Sequence, residues 1–256
     1  MNAILLCAGF ATRLYPLTRN FPKPLLEVGG KPVIDHLLDQ LLTFSGLRSI
    51  HLITNARFYE HFTAWAARWQ AECRESGISL HVHQDGVHRE EERLGAIGDL
   101  ALLVRRLSPL QPAVVAAGDN IFRFPLQPIW QKFLQSQKNL VIAIREDDIV
   151  KLQRTGVLVL GRDDRVMALH EKPHRPPGRW TCPAIYFLQP SALRAVDDYL
   201  RERRNPDEPG RFIDYLCRRL PVFAEKVKGE RLDIGSLDML EQARSLLRKE
   251  PVLPSE

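Results

Sequence analysis

The amino-acid sequence predicts a three-layer α/β sandwich, with a mostly parallel central sheet and a smaller antiparallel extension in its C-terminal part. Three observations carry this expectation. Over the first 150 residues, short apolar runs rich in β-branched side chains alternate with longer amphipathic ones, the rhythm of a sheet covered by helices on both faces. After about residue 150 the texture changes to closely spaced strands broken by turn residues. A chain of 256 residues, 45% hydrophobic and 26% charged, is of globular composition and can bury a core without disulfide or metal staples.

Taken in order, residues 3–8, 49–54, 78–83, 113–117 and 140–144 read as strands. Helical patterns lie between them at 32–44, 58–76, 93–107 and 127–137. Residues 156–160 and 165–170, joined by Gly161-Arg162-Asp163-Asp164, read as a hairpin. Residues 182–188 and 222–227 are further strands, and 211–219 a short helix. The proline-bearing stretches 174–179 and 205–210 are loops. The last helix, 236–248, is expected to start at Ser236 as N-cap with Asp238 in its first turn, and the tail 251–256 to be loose.

Composition also excludes. No run approaches the ~18–20 apolar residues of a membrane span. The opening MNAILLCAGF lacks a basic leader and reads as a buried strand, not a signal peptide. Cys7, Cys73, Cys182 and Cys217 show no CxxC spacing, which fits a reducing cytoplasm. The net charge of +5 suits polyphosphate substrates, and no nucleic-acid recognition module is visible. His81, His83 and His88 lack a closing ligand set for zinc, and Trp65 and Trp69 read as core packing.

The most informative stretch is residues 5–31, LLCAGFATRLYPLTRNFPKPLLEVGGK. A buried strand ends at Ala8-Gly9, and small residues follow at Gly9, Ala11 and Thr12. Small residues let backbone N–H groups approach and cradle phosphate oxygens. Arg13 adds a guanidinium fork, and Pro22 and Pro24 pre-aim Lys23 between them. There is no GxGxxG, and Gly30-Lys31 is followed by Pro32, so a P-loop is excluded. A strand-turn-helix connection carrying surface cations is the plain alternative.

Two acids stand in matching surroundings. The apolar run 113–117 ends in Gly118-Asp119-Asn120, and Leu232-Asp233-Ile234-Gly235 repeats the arrangement far downstream. Ligands gather at the carboxyl ends of parallel strands, so the two carboxylates could share one Mg²⁺. Each Asp could equally cap the turn that follows it.

Thr12-Arg13-Leu14, Pro16, Thr18, Pro22-Lys23-Pro24-Leu25 and Gly30-Lys31-Pro32, in that order, resemble the signature of the sugar-phosphate nucleotidyltransferases. That family joins a nucleoside triphosphate to a sugar 1-phosphate and releases pyrophosphate. The resemblance runs from Ala3 to about Leu247, with GFATR here in place of the commoner double-Gly turn. It implies a Rossmann-like fold in one unit, 1–250: a nucleotide-binding half (1–150), a sugar-phosphate half (151–235) and a C-terminal helix (236–250). It implies Arg13, Lys23 and Asp119 as catalytic residues, and Mg²⁺ on Asp119 and Asp233. Nucleotide contacts would come from Leu6, Ala8, Gly9, Thr12, Arg13, Asp119 and Gly95, the last in a base-reading segment Arg93-Leu94-Gly95-Ala96. Gly156, Glu171 and Lys172 would hold the sugar phosphate, with Ala184 where many members carry Gly. The expected partners are a nucleoside triphosphate and a sugar 1-phosphate, with no nucleic acid and no membrane; a homo-oligomer is compatible. A cytidylyltransferase for a non-sugar phosphate and a non-catalytic nucleotide-sugar sensor are the alternatives.

Overall fold

A computed structural model describes residues 1–248; the expected loose tail and the last two residues of the 1–250 unit lie outside the described residues. Four parallel strands form one half of the main sheet. β1 (Asn2–Leu6) is flanked by β4 (Ser49–Thr54) and β6 (Ala113–Ala117), and β5 (Ser79–Gln84) completes the edge. Side chains alternate across these strands, so one chain segment feeds two cores. Ala3, Leu5, Ile50, Leu52, Val114 and Ala116 face α1 (Val33–Leu42), α2 (Tyr59–Glu75) and α4 (Gln127–Ser136). Ile4, Ile53, Ala113 and Val115 face α3 (Ala96–Arg106), α6 (Pro190–Arg201) and α7 (Pro209–Cys217). A third, smaller core joins α8 (Leu237–Arg248) to two short ribbons, β2 (Glu27–Val28) with β3 (Lys31–Pro32), and β7 (Asn120–Phe122) with β14 (Arg231–Asp233).

The other half of the sheet is antiparallel. β8 (Asn139–Arg145) does not lie beside β6, because β12 (Ile185–Leu188) is inserted between them, antiparallel to both. β11 (Trp180–Cys182) also pairs with β8, and then with β9 (Gly156–Leu160), which forms the expected hairpin with β10 (Val166–Glu171). β13 (Val222–Val227) runs parallel to β8. The short α5 (Ile149–Leu152) links β8 to β9.

Three local expectations change. The strand expected over 182–188 is two segments, β11 and β12, parted at Pro183-Ala184. Pro183 has no N–H to give to a ladder, and Ile185 N–H turns back to Pro183 O at 2.7 Å. The helix expected from residue 93 begins at Ala96, since Gly95 holds a φ of 78° that no helix accepts. The helix α6 was not anticipated, although Pro190 opens it and Ala192, Leu193, Val196 and Tyr199 bury one face. The N-cap at Ser236 is as expected: Met239 N–H donates to its Oγ at 3.3 Å.

The split of β11 from β12 forks the sheet. Beyond Pro183, β12 follows β6; before it, β11 follows β9. The carboxyl end of β6, with Asp119, therefore faces the start of β9, with Gly156, across the two halves of one interrupted strand.

Candidate active site

The loop leaving β1 is anchored from below. Leu6 O accepts from Gly118 N–H (3.1 Å), and Cys7 N–H donates to Ile53 O (2.8 Å). Buried Asn55 donates to Ala8 O at 2.9 Å. Phe10 is buried against Phe58, ring centroids 6.2 Å apart, and anchors the loop. Gly9 is exposed, and a Cβ there would meet no protein atom within 4 Å. Ala11 takes a left-handed conformation (φ 52°) before the turn Thr12–Leu14, and the buried Thr18 hydroxyl pins it by donating to Ala11 O at 2.8 Å. Alternating left- and right-handed residues turn consecutive N–H groups to one side, the geometry of an anion nest. Arg13 stands exposed on this turn, and Thr12 Oγ1 lies 3.4 Å from Glu90 Oε1.

Lys23, Asp119 and Asp233 come together from three distant segments. Pro22 is extended, and Lys23 opens a single turn, Lys23–Leu25, whose Pro24 and Leu25 are buried. The Lys23 ammonium pairs with Asp119 Oδ2. Gly118 is required just before, because a Cβ there would clash with Cys7 Sγ. Pairing of β7 with β14 sets Asp233 opposite Asn120, and Ile234 N–H approaches Asp119 O at 3.4 Å. Burial pushes the Asp119 carboxyl up, but Lys23 and then Arg231 outweigh it and hold it below the ordinary carboxylate range.

Asn120 and Arg231 extend this constellation, and neither was singled out from the sequence. Asn120 Nδ2 donates to Asp119 Oδ1 at 2.7 Å, while Arg231 Nη1 donates to Asn120 Oδ1 at 3.1 Å. The donor on one side and acceptor on the other fix the amide's orientation. A signal existed for Arg231: it stands two residues before Asp233, and alternate residues of a strand share a face.

Across the fork, Gly156 is in register with both Glu171 and Cys182. The Glu171 side chain is 13% exposed, and burial raises its pKa while Lys172 opposes the shift. It lies against Gly156 and Gly210, where a Cβ at Gly210 would overlap Glu171 Oε2. Lys172 adopts φ 46°, and its ammonium reaches Glu208 at 3.1 Å and Glu171 at 3.6 Å. Gly95 sits elsewhere: a Cβ there would be 2.7 Å from Pro206 C and O, and Ile97 N–H donates to Pro206 O at 2.8 Å. The 205–210 loop thus ties the two sides, with Pro206 on Gly95, Glu208 on Lys172 and Gly210 on Glu171.

The pair Asp119 and Asp233 offers hard carboxylate oxygens, the donor type Mg²⁺ selects, and Mg²⁺ commonly keeps only one or two protein carboxylates and takes phosphate oxygens and water for the rest. The donor set therefore fits that ion.

Comparison with known proteins places this geometry. A sequence profile of the family described as Nucleotidyl transferase matches residues 2–250. The UTP--glucose-1-phosphate uridylyltransferase AglF of Haloferax volcanii is 27% identical over 259 residues, covering 100% of both chains. A mannose-1-phosphate guanyltransferase of Pichia angusta is 31% identical over 239 residues, which are 92% of this chain and 61% of that one. The crystal structure of a UDP-glucose pyrophosphorylase complexed with UDP-glucose shares the fold, with a TM-score of 0.81 at 16% identity over 98% of this chain and 99% of that one. With a profile match over nearly its whole length, the loop after β1 and the two aspartates all within it, the chain belongs to the nucleotidyl transferase family.

Proposed function

We propose that the protein transfers a nucleoside monophosphate from a nucleoside triphosphate to a sugar 1-phosphate, releasing pyrophosphate. The observation that carries this reading is the meeting of Lys23, Asp119 and Asp233 at the fork of the sheet, between the anchored loop Gly9–Arg13 and the Glu171 wall. The relatives named as uridylyl- and guanylyltransferases of sugar 1-phosphates support the reaction class.

The chemistry asks little of a general base. A phosphate dianion is already a nucleophile near neutral pH, and it attacks the α-phosphorus in line. The obstacle is repulsion between two polyanions and charge growing on the leaving pyrophosphate. Arg13 and the N–H groups of residues 9–13 suit the pyrophosphate portion. Lys23 sits between two prolines at the head of a turn whose next two residues are buried, so it would meet the α-phosphate with little orientational freedom left to lose. Asp119 and Asp233 would hold Mg²⁺, which when bound supplies charge neutralisation of the reacting phosphates. Glu171, an acceptor-only carboxylate once ionised, suits vicinal sugar hydroxyls.

A matrix of nucleoside triphosphates against sugar 1-phosphates, scored by pyrophosphate release with and without EDTA, tests the reading. One combination should turn over and stop on chelation. In D119N and K23A turnover should fall about 10²–10³-fold, roughly 3–4 kcal/mol, with an unchanged circular dichroism spectrum. Turnover retained in both variants would refute it.

A further inference from the structure

Arg231 is under-matched for its surroundings. Its side chain is only 22% exposed. Among the described residues, its contacts are one hydrogen bond to a neutral amide, Asn120 Oδ1 at 3.1 Å, and a loose approach to Asp233 Oδ2 at 3.7 Å. A guanidinium carries five N–H donors, and here one of them is hydrogen-bonded, to a neutral amide, while the nearest carboxylate stands beyond hydrogen-bond distance. Such a group is poised for an anion.

Its position says which anion. On one side it reaches, through Asn120, the carboxylate of Asp119. On the other lies the wall of the interrupted strand. Ala117, two residues before Asp119, donates its N–H to Ala184 O at 2.9 Å, so the Asp119 turn that Arg231 reaches is joined directly to the split in that wall. Cys182 is the register partner of Gly156, and Tyr186 lies on β12 beyond the split. Arg231 therefore stands between the paired aspartates and the pocket of Gly156 and Glu171. Lys172, the cation that the family resemblance assigns to the sugar phosphate, stands at the rim of that pocket, its ammonium shared between Glu208 and Glu171. It is 54% exposed, in a left-handed conformation, and paired with Glu208 of the 205–210 loop.

We propose that Arg231 grips the phosphate of the acceptor. The inference rests on the proposed reaction. A guanidinium binds a phosphate through two parallel N–H bonds, which fixes the direction of attack as well as the charge. Lys172 then serves to hold the 205–210 loop against Glu171.

The test combines R231A, R231K and K172A with the best substrate pair from the matrix. R231A should raise the acceptor KM about tenfold or more, exceeding the effect of K172A, and leave the triphosphate KM unchanged. R231K should recover part of the loss, since it restores charge without the fork. Calorimetric titration should show that R231A loses the advantage of a sugar 1-phosphate over the unphosphorylated sugar. Affinity for Mn²⁺, read by electron paramagnetic resonance, should stay as in the wild type. An unmoved acceptor KM overturns the assignment. So does a parallel rise in triphosphate KM or weakening of Mn²⁺ binding, which would mark Arg231 as merely orienting Asp119 and Asp233. If the wild type turns over no pair, the reaction itself is refuted. The assignment is then decided by calorimetry with glucose 1-phosphate and mannose 1-phosphate, and binding indifferent to the phosphate overturns it as well.

Discussion

Gly210→Ala isolates the contact between α7 and the acceptor carboxylate. A Cβ at this position would overlap Glu171 Oε2 and lie 2.8 Å from Leu169 Cδ2, where ordinary contact begins near 3.4 Å. Two effects on stability oppose each other. Alanine favours a helix over glycine by up to ~1 kcal/mol. Overpacking costs about 1–3 kcal/mol. The net loss is therefore about 0–3 kcal/mol, a fall in Tm of no more than roughly 12 °C for a chain of this size, and the protein remains folded. Function is more exposed, because Glu171 has to retreat by about 1 Å, and a displacement of that size costs as much as 10²-fold in rate. The expected result is a drop in kcat/KM for the sugar 1-phosphate of about 10–10²-fold, with the triphosphate KM unchanged. A double-mutant cycle separates this from general damage: G210A should add little to E171A, because the carboxylate it displaces is already gone. Full additivity of the two substitutions would refute the contact as the cause.

Further expectations concern buried acid and backbone. Asp99 is 5% exposed, its Oδ1 lacks a partner among the described residues, and burial, then neighbouring Asp85, push its pKa up to about 8. The folded state therefore keeps a proton that the unfolded chain releases near its ordinary value of 3.8, so this group's contribution to stability falls as pH rises until about 8. Below the ordinary histidine value of 6.5 the effect is countered by His51, which burial and then His81 and His83 depress to about 4, and which loses stability as pH falls through that interval. Between pH 6.5 and 8 the Asp99 contribution should thus appear as a loss of about 2 kcal/mol in urea unfolding, and D99N should flatten it; an unaltered slope in D99N would count against the buried proton. Gly95→Ala should destabilise the fold by at least about 2 kcal/mol, read as a lowered urea midpoint, because φ 78° with ψ 159° is nearly glycine-only and Pro206 backbone blocks the Cβ. A midpoint equal to wild type would show that the 205–210 loop yields freely.

The sequence by itself determined the alternation of strands and helices, and it drew attention to the loop after the first strand and the two aspartates, whose expected roles came from the family resemblance. Each signal rests on local chemistry: period-two burial in the strands, prolines around Lys23, and an acid at the end of an apolar run. Local pattern also foretold the cap at Ser236. Tertiary structure alone decided where β12 goes, for nothing near Pro183 states that the strand behind it slots between β6 and β8. The fork that results places Asp119 opposite Gly156. Likewise, Arg231 and Asn120 meet only because β14 returns 111 residues later to pair with β7. Gly210 offers no sign in its own surroundings that it makes room for Glu171. The physical reason is common to all three: strand partners and close approaches are chosen by burial and hydrogen-bond pairing across the whole chain, and those energies depend on contacts that no short window of sequence contains.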